Sequence, residues 1–212
     1  ETNDFEEQMD ILLDNIRRAM DNAGSSMSNV IKTNMFQTRL ESLLVEPPKE
    51  RELRQSFTSA TERMERCKLR YYERHAPFLL EDAPPGCTFM KWTSVANPAA
   101  LIQIDATGVF SRHKPGWKVK TYPCYLAKKG LPRHIGDIKR YYSNSVAVEN
   151  LVFFSGAWPH DPYTGRVVTN VFEEQVVQTL DNLKAAMEET GCSLENLART
   201  MILIPWNPAN HS

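Results

Sequence analysis

Residues 3–33, NDFEEQMDILLDNIRRAMDNAGSSMSNVIKT, recur as residues 170–200, NVFEEQVVQTLDNLKAAMEETGCSLENLART, at one constant offset and without a gap. Nearly half of the positions are identical, so one supersecondary unit is used twice and the fold must accommodate it near both ends of the chain. Each copy opens on an acidic turn (Glu6, Glu7; Glu173, Glu174), which suits the positive end of a helix dipole. Apolar residues then recur at helical spacing: Phe5, Met9, Leu12, Leu13, Ile16 and Met20 in the first copy, and Phe172, Val176, Leu180, Leu183 and Met187 in the second. Gly24 and Gly191 stand where a left-handed cap would stop each helix. A strand is expected after each stop, over residues 30–36 and 197–204.

Between the copies the pattern changes several times. Residues 50–74 contain neither Gly nor Pro and carry Leu53, Phe57, Ala60, Met64, Cys67 and Tyr71 at three- and four-residue steps, the mark of an amphipathic helix entered from Pro47 and Pro48. Its charges from Arg63 to Arg74 read as a solvated face. After the breaker at 83–86, strands are expected over 87–95 and 101–110, the second alternating Ile102, Ile104 and Ala106 with Gln103, Asp105 and Thr107. Residues 111–116 are the linker candidate. Paired strands follow over 146–148 and 151–155, then a turn at 161–165 and a return strand over 166–169. Helices and paired strands in separate runs predict an α+β layer rather than alternating βαβ units.

Composition narrows the class. Of 212 residues, 42% are hydrophobic and 24% charged, and no apolar run approaches the roughly 18 residues of a membrane span. A net charge of −1 argues against a nucleic-acid partner, which needs a concentrated positive face. The four cysteines (Cys67, Cys87, Cys124, Cys192) and five histidines show no metal-ligand spacing, and no signal-peptide pattern is seen. A cytoplasmic setting, with no metal and no organic cofactor, is the expectation.

These motifs resemble the Rid (YjgF-type, imine/enamine deaminase) family. The stretch YSNSVAVENLVFFSGAWPHDPYTGRVV, residues 142–168, is similar to that family's opening strands, including the pairs Tyr142-Ser143 and Ser155-Gly156. The helix with EEQ and the G-x-S segment after it continue the likeness, and residues 1–110 look like the remainder of such a domain. The resemblance implies a chorismate-mutase-like fold: a mixed β-sheet with helices packed on one face, here as two partial repeats. A partial domain over 1–112 would lack its opening strands, and one over 113–212 its closing ones. A permuted domain built from about residue 50 onward is the other arrangement, with the first helix–strand unit spare.

By that resemblance a pocket between subunits binds a small-molecule substrate, and an arginine in a P-A-R-[ST] motif grips its carboxylate. Pro85-Gly86-Cys87-Thr88 stands at that motif, placing Cys87 at the arginine position. Gln103 falls where a glutamate helps to position water, with Asp105 two residues on along the same strand face. A thiol cannot clamp a carboxylate as guanidinium does, and a neutral amide is no general base. Two readings stay open. In one, the chain is an enzyme acting on a carbon–nitrogen bond of a small metabolite, with Cys87, Gln103 and Asp105 in the chemistry and Tyr142, Ser143, Ser155 and Gly156 binding substrate. In the other, it is a catalytically silent ligand-binding or assembly module, with Cys87 a small buried strand residue. Both imply homo-oligomers with three-fold or pseudo-three-fold packing.

Overall fold

The computed structural model describes residues 4–38, 50–81, 84–92, 99–112, 119–123, 134–135, 138–139, 142–162 and 167–204. Pro47 and Pro48, residues 113–116 of the linker candidate, residues 163–166 of the expected turn and return strand, and the side chains of Leu53, Phe57 and Ala60 lie outside the described residues.

Helix α1 spans Phe5–Asn22, and Asp4 caps it: its carboxylate accepts from the N–H of Glu6 at 2.7 Å and of Glu7 at 3.2 Å. Those bonds, that to Glu7 first, hold the Asp4 carboxyl below its ordinary range. The expected stripe is the buried one, with Phe5, Met9 and Leu13 in the main core and Leu12, Ile16 and Met20 against it. The chain leaves the helix at Gly24, φ 75°, where an L side chain would be strained. A single 3-10 turn, Met27–Asn29, leads into β1, Val30–Thr38.

Helix α2, Glu50–His75, lies across α1. Met64, Cys67, Tyr71 and Tyr72 enter the core with Met35 of β1 and Ile102 and Ile104 of β3, Ile102–Gly108. At the rim Arg70 bridges to Glu6 (3.0 Å) and Asp10 (3.2 Å), and Arg63 to Glu6 (3.6 Å). These half-exposed pairs guide orientation more than they stabilise. The charge run is not wholly solvated: Glu65 and Lys68 are buried and paired at 2.8 Å. β5 (His134–Ile135) and β6 (Ile138–Lys139) also contact α2. A short helix α3, Phe78–Glu81, follows.

The sheet runs β3-β1-β2-β7-β4, with β8 also paired to β7. Here β2 is Gly86–Trp92, β4 Val119–Pro123, β7 Ser143–Val148 and β8 Leu151–Phe154. β1 and β2 are parallel, β1 and β3 antiparallel, so the sheet is mixed. β7 meets β2 in parallel at Gly86 and Ser143, and turns into β8 through Glu149, at φ 54°, in a two-residue hairpin loop. Ile31, Val146 and Val148 form a second cluster with Val109, Val119 and Phe153. One sheet thus draws strands from both sides of residue 112.

Arg112 anchors the start of the expected linker. Its Nε donates to Ser28 O at 3.0 Å and a terminal nitrogen to Val30 O at 2.6 Å, fastening the end of β3 to the start of β1. Burial pulls its guanidinium down to about 10, still charged at neutral pH.

The second copy repeats the first only in part. Helix α4, Phe172–Glu189, has the same length as α1, Gly191 (φ 81°) repeats Gly24, and the 3-10 turn Leu194–Asn196 repeats Met27–Asn29. The strand expected over 197–204 is absent: that segment is irregular and exposed, with Ile202 76% accessible where its counterpart Met35 is fully buried. No described strand lies alongside it, and a strand exists only by its neighbours' hydrogen bonds. Phe172, Val176 and Leu180 are likewise exposed, and of the second stripe only Met187 is buried. No helix of the described residues is long and apolar enough to cross a membrane.

Candidate functional site

The candidate site lies where β1, β2, β7 and the exit from β8 converge, and its first component is a chain of hydrogen bonds. The N–H of Cys87 donates to Ser155 Oγ at 2.8 Å, and Ser155 Oγ donates to Ser143 O at 2.6 Å. Ser143 Oγ donates to Pro84 O at 2.6 Å, and the Gly156 N–H to Cys87 O at 3.3 Å. One half-buried hydroxyl thus ties β2 to β7. Ser143, Ser155, Gly156 and the backbone of Cys87, widely separated in sequence, come together within one chain. Tyr142 is half-buried immediately before β7.

Strand register then sorts the side chains by face. Cys87 pairs with Thr33 and packs against the main core with Phe89, on the side that holds the helices. Lys32 pairs with Gly86, Asn34 with Thr88 on one flank and Asp105 on the other, and Phe36 with Gln103. Directly paired residues share a face, and alternate residues of a strand do too, so Lys32, Asn34, Thr88, Gln103 and Asp105 line the side free of α1 and α2, helix-free in that sense. Gln103 Nε2 donates to Asp105 Oδ1 at 3.3 Å. The structure therefore keeps Gln103 and Asp105 together and sets the Cys87 thiol on the opposite face from both.

Lys32 is the residue that the sequence reading passed over. It is 9% exposed, and its Nζ donates to Thr88 Oγ1 at 2.5 Å. Among the described residues no carboxylate pairs with it. Burial pulls the ammonium down to about 8, with a small opposing effect from neighbouring Cys87. Two glycines permit the fit. A Cβ on Gly86 would lie 3.4 Å from Lys32 Cδ, and one on Gly156 2.9 Å from Thr88 Cγ2. The one available signal was a lysine directly after Val30 and Ile31 in the strand VIKTNMF; its hydrogen-bond partner is more than fifty residues away.

Among the described residues no three His, Cys, Asp or Glu side chains are grouped closely enough to hold a metal ion. A concavity of about 400 Å³ lies elsewhere, along the exposed flank of α4 beside Val168, Glu173, Glu174, Val177 and Gln178. It contains none of the residues grouped here.

The family model described as Endoribonuclease L-PSP matches residues 135–206, which include Ser143, Ser155, Gly156 and α4. Residues 135–206 thus carry the likeness to the Rid (YjgF, L-PSP, RutC) family. The chain is 34% identical over 73 residues to a RutC family protein of Pyrococcus abyssi, covering 34% of this chain and 54% of that protein. The human 2-iminobutanoate/2-iminopropanoate deaminase is 30% identical over 63 residues, 30% of this chain and 46% of the relative. The Reactive Intermediate Deaminase A, chloroplastic, of Arabidopsis thaliana is 32% identical over 119 residues, 56% and 55% respectively. The chain spans about half the length of these curated relatives.

Proposed function

We propose that this Rid-family chain acts on the carbon–nitrogen double bond of a small imine or enamine metabolite, hydrolysing it to a carbonyl compound and ammonia in a pocket without the usual arginine. The observation that carries this reading is the Ser155 bridge, which gathers Cys87, Ser143 and Gly156 beside the polar row on the helix-free face. Asp105, held by Gln103, is the group on that face able to accept a proton from attacking water. Cys87 enters through its backbone, and a part for its thiol is decided by substitution. Tyr142 and Ser143 line the substrate side. The two partial domains, 1–112 and 113–212, assemble with other copies in three-fold or pseudo-three-fold fashion, bind neither nucleic acid nor membrane, and need no metal or organic cofactor. Free thiols at Cys67, Cys87 and Cys192 favour a reducing, cytoplasm-like compartment.

The test is hydrolysis of freshly generated 2-iminobutanoate or 2-iminopropanoate, followed by ammonia release, in the intact chain and in Cys87→Ala and Asp105→Asn variants. Loss in Asp105→Asn with activity kept in Cys87→Ala supports the aspartate as base and removes the thiol. Background rates in the intact chain abandon the enzyme reading.

A second reading, a catalytically silent ligand-binding or assembly module, is favoured by one observation: the Cys87 side chain faces the core rather than the polar row. Binding of the product 2-oxo acid without turnover would select it.

A further inference from the structure

We propose that Lys32 is the cationic contact for a small carboxylate anion on the helix-free face of the sheet, with Thr88 and Asn34 beside it. The identity of that anion as a 2-imino or 2-oxo acid rests on the deaminase reading; the anion contact itself rests on the residues alone.

A lysine in a strand ordinarily extends its four-carbon stem until the ammonium reaches water. Lys32 does not: its stem lies along Gly86 and its Nζ stops at Thr88 Oγ1, with only 9% of the residue exposed. Taking an ammonium out of water is costly unless a negative group compensates. The other buried lysine, Lys68, meets that demand with Glu65 at 2.8 Å. Lys32 meets it with a neutral hydroxyl, although an ammonium has three donors. Arg112, the buried guanidinium, gives its donors to backbone carbonyls that fasten two strands. Lys32 reaches from β1 to Thr88 of β2, two strands already joined by their own backbone ladder from Lys32 and Gly86 to Thr38 and Trp92.

Position points the same way. The neighbour across β2 is glycine, and where its Cβ would stand the Lys32 stem lies 3.4 Å away and Phe153 O and Ser155 Oγ 3.5 Å away. Asn34 and Thr88 lie in the next row with Asp105, giving amide and hydroxyl groups suited to a carboxylate or carbonyl oxygen. The titratable residues on the flanking strands are Cys87 and Lys91 on β2 and Asp105 on β3. β7 and β8, with the sequences SNSVAV and LVFF, contribute none. A base on β3 and a cation on β1 would bracket a planar acid of three or four carbons.

The experiment titrates 2-oxobutanoate into the intact chain by calorimetry at pH about 7 and about 9.5, on either side of the ammonium's loss of charge. Lys32→Met and Lys32→Arg are measured in parallel, with circular dichroism and thermal unfolding as checks on folding. We expect binding at the lower pH, at least about tenfold weaker at the higher pH and in Lys32→Met, with partial rescue in Lys32→Arg. Equal affinity in a folded Lys32→Met variant overturns the inference, as does a wild-type affinity that does not change with pH, which needs no substitution at all. No binding to the wild-type chain overturns it as well. Imine hydrolysis that survives Lys32→Met removes this inference and leaves the deaminase reading. Lys32-dependent binding without hydrolysis does the reverse.

Discussion

Phe5 and Phe172 occupy the same place in the two copies of the repeated unit, yet Phe5 is 1% exposed and Phe172 39% exposed. The helices carrying them are alike in length, in acidic first turn and in glycine stop. What differs is the company: α1 has α2 and β3 against it, whereas the matching flank of α4 is open.

That contrast sets a stability prediction. Phe5→Ala should cost about 3–5 kcal/mol, the range for emptying a packed aromatic site. Phe172→Ala should stay within about 1 kcal/mol of the parent, because little surface is lost from contact. Urea unfolding monitored by circular dichroism measures both, and comparable losses would show that the α4 face is covered in solution.

Gly156→Ala places a Cβ 2.9 Å from Thr88 Cγ2. A cost of about 1–3 kcal/mol is expected for such overpacking. Thr88→Ser removes that methyl and should return most of the loss, so the double variant is more stable than the Gly156→Ala single. Additive losses would place the strain elsewhere.

Ser155→Ala leaves the Cys87 N–H and the Ser143 carbonyl without the hydroxyl that joins them. Destabilisation of about 1–3 kcal/mol should follow, together with faster amide exchange at Cys87. Unchanged exchange there would mean that the bridge does not hold β2 to β7.

Lys32 predicts a pH dependence with a definite sign. Its ammonium titrates at about 8 in the folded chain against the ordinary 10.5, so between these values the unfolded chain binds the extra proton. Stability from this group must therefore rise as pH rises from about 8 to 10.5, and below 8 the full cost of the buried charge is present. The Cys67 thiol, pushed up from 9.0 to about 11 chiefly by burial, acts oppositely above 9. The melting-temperature difference between Lys32→Met and the parent isolates the lysine: it should shrink from pH 8 upward. A constant difference would contradict the buried cation.

Much of the architecture was readable from local pattern. The stripe from Phe5 to Met20 fixed the buried face of α1, and the Ile102/Ile104 alternation put Gln103 and Asp105 on the other face of β3. Ser143, Ser155 and Gly156 were singled out by their motifs, and they do meet. The facing of Cys87 was not readable, since a motif gives position along a strand but not which side of the sheet the register presents. Glu65 and Lys68 misled for a related reason: a helical charge pattern does not say which charged pairs tertiary packing will bury.

By itself the sequence determined the repeated helix, its glycine stop and its 3-10 turn, because capping and periodicity act over a few neighbouring residues and operate equally in both copies. Only the tertiary structure decided which copy's apolar face is covered, whether residues after the turn form a strand, and that Lys32 is buried. Burial and strand pairing are supplied by partners distant in the chain, and two nearly identical segments met different ones.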